Sequence, residues 1–294
     1  MEKRNKLCEA AAINVADILR KKSPFQKTRV AIIPGTGWSK AIQQVLKVEE
    51  SINLDRLPGF HYLEDFEAVS GHELTVRFGS ILGIPTMVVG RIHNYQQSAN
   101  PKVPAFATRL MIRLQNEMIM QLQPDLFIPT AGVGALPQQD ETRTPRTGDV
   151  AVINDFTTLY APLLPLFDGD GFNPPQFRVS PIAVGLATQC TLPPPHVVHT
   201  GKHVMVPGPL IESMNDKQLL GAQGNLCIGM SLLDSVAVAT LYENGTHVLP
   251  LGLITNGYQE KHDHESVSDV GTSAAGYLAN YLYELFSKVA QMGV

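Results

Sequence analysis

The 294-residue chain contains few cysteines, few charges and no long hydrophobic run. Its three cysteines, Cys8, Cys190 and Cys227, lie far apart and form no Cys-x-x-Cys pair. Such a set excludes a disulfide framework and indicates a reducing compartment. No run of about 18 apolar residues occurs, so no membrane span is predicted. Glu9 and Asp17 interrupt the segment where a signal peptide would need an apolar core. We therefore expect a cytoplasmic protein.

Charged residues make up 17% of the chain, against about 25% in a typical domain. The formal net charge is −4, and no cluster of lysine and arginine is interleaved with aromatic residues. A nucleic-acid partner is therefore not expected. The apolar content of 44% is ordinary, so the shortage of charge indicates extensive buried surface, including contacts between subunits.

Strand and helix patterns alternate along the chain and predict one α/β domain over residues 1–294. An amphipathic N-terminal helix is predicted over about residues 2–22. Further helices are predicted over residues 39–46, 104–122, 182–188, 231–243 and 267–289. Strands are predicted over residues 30–33, 74–78, 86–89, 125–128, 150–153, 203–206 and 249–255. No internal repeat and no linker divides the chain.

Three predicted strands end in glycine-rich or polar loops, over residues 34–38, 129–134 and 255–264. The carboxyl ends of strands form the ligand crevice in open α/β sheets, so these loops are the first place to seek chemistry. Residues 138–147 are predicted to form an exposed polar loop. Residues 160–200 are rich in proline and are predicted to form a long irregular excursion with a functional role.

Several of these segments carry groups suited to an anion. Thr36 stands between two glycines after a strand, where a hydroxyl and free N–H groups suit an anion, although a plain tight turn explains the same residues. Arg91 can clamp a phosphate or form a salt bridge at a sheet edge, and it shares one face with His93 and Tyr95 if the preceding strand continues. Ser231 stands before a predicted helix, where it is an N-cap by default and can also hold a phosphate.

Other residues suit a nitrogen heterocycle. Asn256 offers both a donor and an acceptor, which suits a nucleobase edge. Glu212 can accept hydrogen bonds from a ligand N–H, or can simply favour the dipole of a following helix. His262 and His264 suggest a metal, but a third ligand at conventional spacing is missing, so we predict no metal. The chain has no Gly-x-Ser-x-Gly elbow, which disfavours a serine hydrolase.

Four motifs occur in a fixed order along the chain: Gly90-Arg-Ile-His-Asn-Tyr, Val204-Met-Val-Pro-Gly-Pro followed by Glu212, Gly229-Met-Ser, and Ile254-Thr-Asn with a His-Glu downstream. Together they resemble the trimeric purine nucleoside phosphorylase family, which includes the methylthioadenosine phosphorylases. The resemblance runs from about residue 28 to 285 and is weakest over 138–200. It implies a central mixed, twisted β-sheet flanked by helices, and a homotrimer.

The resemblance also implies a role for each candidate residue. The phosphate site would comprise Thr36, Arg91, His93, the backbone at Ala131, and Ser231. The ribose would be held by Tyr95, Met230 and His264. The base would be held by Glu212, Asn256, Ile211 and His203, where Ile211 replaces a common aromatic residue and His203 a common tyrosine. The catalytic residues would be Asn256, His93 and Glu212. Inorganic phosphate would be the co-substrate, with no cofactor. Either Phe167 or Phe172 is a candidate for the aromatic residue that family members lend to a neighbouring subunit.

The implied reaction is phosphorolysis of 6-oxopurine nucleosides, such as inosine and guanosine, to free purine base and ribose 1-phosphate. Asparagine at position 256 goes with 6-oxopurines in this family, and histidine at position 264 goes with a free 5′-hydroxyl. The nearest alternative is a 5′-methylthio-purine-nucleoside phosphorylase. A low-turnover nucleoside-binding protein and a nucleoside hydrolase are two others. Arg91, His93 and Ser231 argue against both, because neither needs a phosphate clamp.

Overall fold

The computed structural model describes residues 6–66, 73–94, 100–104, 106–158, 178–208, 211–260 and 264–291, with backbone alone at 6–7 and 264–268. The helices are α1 Lys6–Lys22, α2 Ser39–Val45, α3 Ala107–Gln121, α4 Pro181–Thr188, α5 Met214–Ala222, α6 Leu232–Thr240 and α7 His264–Gln291. The strands are β1 Val30–Ile33, β2 Lys47–Asn53, β3 Thr75–Ile81, β4 Ile84–Val89, β5 Leu126–Ala135, β6 Val150–Thr157, β7 Val198–Met205, β8 Asn225–Gly229, β9 His247–Val248 and β10 Leu251–Asn256. No helix in these ranges is long and apolar enough to cross a membrane.

The strands form one mixed sheet, and part of it closes on itself. An open half runs in the order β2, β3, β4, β1, β5, with β1 parallel to both β4 and β5. Beyond it, β5 pairs with β10 and with β8, and β10, β6, β7 and β8 are joined in turn. These pairings close a ring of five strands in which β5 belongs to both halves. The predicted α/β fold with a mixed sheet and flanking helices is confirmed, and the closed ring is an addition to it.

Helices cover both faces of the open half. Side chains of a buried strand alternate between these faces, so each strand contributes to a core on either side. Ala31 and Ile33 of β1 contribute to a core shared with α1, α3 and α6. Val30 and Ile32 contribute to a second core shared with α2, α4 and α7. All four residues are fully buried. A β1 that is apolar at every position therefore fits its central place in the sheet.

The prediction of a loop over residues 129–134 is wrong, because these residues form most of the strand β5. Its first residues pair with β1, and Thr130–Gly134 then pair with β10. Proline and two glycines in this segment are typical of a turn. The glycines instead make room for neighbours: a Cβ on Gly134 would lie only 2.8 Å from Nδ2 of Asn256.

The other differences are smaller. Strand β2 was not predicted, because it lies at the sheet edge and its sequence, Lys-Val-Glu-Glu-Ser-Ile-Asn, is mostly polar, which is common at edges. The hairpin turn between β3 and β4 uses Leu82 and Gly83, both with positive φ, so it precedes the predicted Gly83-Ile-Pro. Helix α1 agrees with the predicted N-terminal helix over the described residues, and α7 begins at His264 instead of 267.

Candidate active site

The loop after β1 lies directly on β5. The backbone N–H of Gly35 donates to Oγ1 of Thr130 at 2.9 Å, and a Cβ on Gly35 would overlap the carbonyl oxygen of Thr130. This close approach requires glycine. It carries Thr36 to the side of Gly132, where a Cβ would lie 3.3 Å from Cβ of Thr36. The turn therefore places the Thr36 side chain beside Gly132, in the middle of β5.

Ala131 lies beneath the same loop. It is 2% exposed, and its carbonyl oxygen accepts a hydrogen bond from Nε1 of Trp38 at 3.1 Å. Trp38 is fully buried in the first turn after Gly37. The Trp38 side chain thus fixes the loop to the strand, and the backbone at Ala131 lies between Thr130 and Gly132 at the floor of the site.

Arg91 extends across the ends of two strands. Strand β4 ends at Val89, so the strand does not continue through Arg91 and His93 as the alternating pattern supposed. Arg91 is nevertheless 4% exposed, and its Nη2 donates to the carbonyl oxygen of Thr130 at 2.8 Å. Its Nη1 donates to the carbonyl oxygen of Ser231 at 3.4 Å. Because β4 lies between β1 and β3, Arg91 occupies the interior and not a sheet edge.

The first turn of α6 meets the Arg91 segment. Ser231 is the N-cap residue of α6, but its side chain makes no capping hydrogen bond. Helix α5 begins with the same Ser-x-x-Asp pattern, and there Ser213 and Asp216 form a complete capping box. Ser213 therefore caps its helix, as a serine at a helix start ordinarily does. The Ser231 side chain does not cap α6, so its hydroxyl group can bind a ligand.

This difference predicts unequal effects of two matched substitutions. Ser213→Ala should lower the free energy of unfolding by about 1 kcal/mol, since it removes a working N-cap. Ser231→Ala should change it by only a few tenths of a kcal/mol, because its hydroxyl group does not cap α6. Urea unfolding of both variants beside the parent protein measures the two values. Equal losses would contradict the assignment of Ser231 to a role other than capping.

Asn256 ends β10 at the same edge. An irregularity in the pairing with β5 falls between Ile254 and Asn256, and it turns the amide toward Gly134. Asn256 is 5% exposed, and its Oδ1 accepts a hydrogen bond from Oγ1 of Thr255 at 3.3 Å. Among the described residues, its buried Nδ2 has no hydrogen-bond partner. A buried amide donor without a partner is costly, so this atom is suited to a ligand acceptor.

His203 lies in the closed ring of strands. It is fully buried, and neither ring nitrogen has a hydrogen-bond partner in the described part of the chain. Its ring packs edge-on to that of Phe156, with centroids 5.6 Å apart, and its Nε2 lies beside Gly229. Burial lowers the pKa of His203 to about 3, so the imidazole is neutral at physiological pH. A neutral imidazole offers one donor and one acceptor.

Glu212 and Ile211 are more exposed than the other predicted base residues. Glu212 is half-buried and immediately precedes Ser213, so Ser213 and not Glu212 caps the helix. Ile211 is 45% exposed. Lys217 of α5, which the sequence analysis missed, is 3% exposed and faces both Glu212 and Glu260. Burial lowers the pKa of Lys217, and the two carboxylates act in the opposite direction.

The structure describes only some of the remaining predicted residues. Met230 directly precedes Ser231, and its carbonyl oxygen accepts from Nδ2 of Asn94 at 2.9 Å. His93 is buried two residues beyond Arg91. His264 is the first residue of α7, with its side chain outside the described part. Tyr95, Phe167 and Phe172 lie outside the described residues. The structure therefore brings Thr36, Arg91, His93, Ala131, Met230, Ser231, His203 and Asn256 to one region around β5.

A model of the phosphorylase superfamily matches residues 29–287, and the chain belongs to this superfamily. Its curated relatives include the purine nucleoside phosphorylase of Bos taurus, which is 26% identical over 91% of both chains. A putative purine nucleoside phosphorylase of Schizosaccharomyces pombe is 27% identical over 79% of this chain and 71% of its own. The family resemblance seen in the sequence is confirmed, and with it an enzyme of the purine nucleoside phosphorylase type.

Solved structures show the same fold. The purine nucleoside phosphorylase of Schistosoma mansoni in complex with adenosine superposes with a TM-score of 0.70 at 21% identity, covering 98% of this chain and 99% of its own. The same enzyme in complex with inosine gives a TM-score of 0.69 over 95% and 96% of the two chains.

Proposed function

We propose that the chain catalyses phosphorolysis of 6-oxopurine nucleosides such as inosine and guanosine, giving the free purine base and ribose 1-phosphate. One observation carries this proposal. The Arg91 guanidinium lies between the Thr130 and Ser231 carbonyl oxygens, beside a helix-opening serine whose side chain does not cap its helix. The relatives named above support it. Solved neighbours contain hypoxanthine, and cytosine with ribose 1-phosphate.

The phosphate site is assigned to Thr36, Arg91, His93, the backbone at Ala131, and Ser231. A guanidinium can bind two phosphate oxygens at once, and the N-terminus of α6 adds N–H donors and a favourable dipole. Phosphate is a weak nucleophile, so the enzyme must act by positioning it and by stabilising charge. These groups do both without a metal or other cofactor.

The ribose is assigned to Tyr95, Met230 and His264. As the bond from C1′ to N9 breaks, its electron pair leaves with the purine, and the sugar acquires oxocarbenium character. A phosphate oxygen held under the ring stabilises this cation and then forms the new bond to C1′. His264 is assigned to the 5′-hydroxyl group.

The purine is assigned to Asn256, Glu212, His203 and Ile211. Nδ2 of Asn256 can donate to N7 and so relieve the negative charge of the leaving base, while Glu212 accepts from a base N–H. A 6-oxopurine presents two acceptors, O6 and N7, on one edge, which fits an amide donor. The neutral His203 supplies a further donor or acceptor, and Ile211 is suited to cover the base.

The proposal is tested by measuring purine release from inosine with and without inorganic phosphate, with 5′-methylthioinosine in parallel. We expect release from inosine only when phosphate is present. Preference for the methylthio substrate would favour the methylthio-nucleoside phosphorylase and change the role of His264. Release without phosphate would indicate a hydrolase. Absence of release from both substrates would overturn the proposal.

We also propose a homotrimer, in agreement with the low charge content of 17% and the family resemblance. Light scattering coupled to size-exclusion chromatography measures the mass of the assembly. A mass close to three times 32.1 kDa is expected, and a monomer would contradict the proposal.

A further inference from the structure

The Asp234 carboxylate is buried behind the proposed phosphate site. It lies in the first turn of α6 and is 2% exposed. Its Oδ2 accepts a hydrogen bond from Nδ2 of Asn94 at 2.5 Å. The same Nδ2 reaches the carbonyl oxygen of Met230 at 2.9 Å. The Asn94 amide thus joins the segment that follows β4 to the start of α6.

These two segments carry the groups assigned to phosphate. Arg91 precedes Asn94 by three residues, and Ser231 precedes Asp234 by three residues in the first turn of α6. The two are already in contact through Nη1 of Arg91 and the carbonyl oxygen of Ser231. The link between Asn94 and Asp234 joins the same pair of segments.

Helix α5 shows what an aspartate at this position ordinarily does. Asp216 occupies the equivalent place after Ser213, is exposed, and completes the capping box. Asp234 follows the same pattern but takes no part in a capping box, since Ser231 makes no capping bond. Removing a carboxylate from solvent costs free energy. The burial of Asp234 against Asn94 therefore requires an explanation other than helix capping.

We propose that Asp234 is a positioning residue for the phosphate site: by fixing Asn94, it holds the segment after β4 against α6 and so determines where Arg91 and Ser231 stand. The inference rests on the proposed function. It concerns how the site is held, because Asp234 acts through Asn94 and is not assigned a contact with phosphate.

The charge of Asp234 gives the inference a second readout. Burial raises the pKa of Asp234 to about 7, while Asn94, Arg91 and Arg109 act in the opposite direction. His93 is the other titratable group beside Arg91 in this segment. On α3, Arg113 and Glu117 bond to each other, and Tyr242 donates to Glu117. Strand β5, which also packs on α6, has no ionisable side chain. Above pH 7, Asp234 therefore adds a negative charge near Arg91.

The experiment measures the KM for inorganic phosphate and the KM for inosine in the full-length enzyme. Asp234→Ala is expected to raise the phosphate KM roughly tenfold while changing the inosine KM little, because it removes the hydrogen bond to Asn94, which holds only the phosphate side. Asn94→Ala should act similarly. The double variant should show less than the product of the two effects, since both remove one link.

Asp234→Asn keeps an oxygen acceptor for Asn94 and removes the charge. Its phosphate KM should equal that of the parent enzyme below about pH 6, where Asp234 is protonated. As the pH rises through 7, the parent KM should rise relative to that of Asp234→Asn, because the ionised carboxylate repels phosphate. Taking the ratio at each pH cancels the titration of phosphate itself. Asp216→Ala is the matched control: it removes the equivalent aspartate of α5 and should leave the phosphate KM unchanged.

Three outcomes would overturn the inference. In a phosphate-dependent parent enzyme, an unchanged phosphate KM in Asp234→Ala would refute the positioning role alone. Equal rises in both KM values would indicate general structural damage. A parent enzyme without phosphate-dependent release would refute the proposed function itself. Should Asp234→Ala fail to fold by circular dichroism, Asn94→Ala removes the same link from its other side, and an unchanged phosphate KM in that variant would refute the positioning role.

Discussion

Replacement of Arg91 by alanine is expected to lower kcat/KM for phosphorolysis by roughly 100- to 1000-fold, the loss typical when a preorganised charge-stabilising donor is removed. The guanidinium lies in a buried position between the Thr130 and Ser231 carbonyl oxygens, where its charge is poorly screened by water. Steady-state kinetics with inosine and varied phosphate measures the loss. We expect kcat to decrease and the phosphate KM to increase, because the charge acts on bound phosphate and on the transition state.

Two companion variants separate this effect from damage to the fold. Arg91→Lys keeps a positive charge but cannot bond both carbonyl oxygens and a phosphate in one plane, so it should recover only part of the activity. Arg143→Ala removes an exposed arginine of the loop after β5 and should leave the kinetics unchanged. Turnover in Arg91→Ala close to that of the parent enzyme would remove Arg91 from the phosphate site.

Substitution of Asn256 by aspartate is expected to lower kcat/KM for inosine by roughly 100-fold and to favour adenosine relative to inosine. An ionised carboxylate has no N–H to give to N7 or O6, whereas it can accept from a 6-amino group. Parallel kinetics with the two nucleosides gives the ratio of kcat/KM values. Burial at this position raises the pKa of the new carboxyl, so lowering the pH should protonate it and restore part of the inosine activity.

Asn244→Asp provides the matched control. Asn244 lies in the turn after α6, where its Nδ2 donates to the carbonyl oxygen of Met120 at 3.0 Å, and it takes no part in the proposed site. Its substitution should leave the preference between the two bases unchanged. If Asn256→Asp also leaves that preference unchanged, then Asn256 does not read the purine.

The sequence could single out the candidate phosphate residues, because short motifs carry them. Arg91, His93 and Ser231 stand within a few residues of a strand end or a helix start, and local pattern is enough to find them. The alternation of strands and helices likewise predicted the fold class. Both kinds of information are local in the chain. The fold class is confirmed, and the phosphate assignment stays a proposal.

What the sequence could not show depends on distant contacts. The glycines of residues 129–134 were interpreted as a loop, although Gly134 is needed in a strand because Asn256 of another strand lies against it. The bond between Asn94 and Asp234 joins two distant segments, and the Ser-x-x-Asp pattern before α6 predicts a capping box that does not form. In both examples the local structure depends on a residue of a distant segment, which the local sequence pattern does not contain.

Strand β5 belongs to both the open half of the sheet and the closed ring, and this affects how the proposed site forms during folding. Thr130 pairs with Leu251 and Gly134 with Asn256, so the ring closes only when β10, the last strand in the described part of the chain, pairs with a strand that lies far earlier in the sequence. Contacts between such distant segments form slowly, since a long loop must be closed first. A chain that stops before β10 would have the Arg91 and Ser231 segments but would leave β5 with an open edge and no Asn256. The proposed purine site therefore requires β10, and a nascent or truncated form without it would expose strand edges to aggregation.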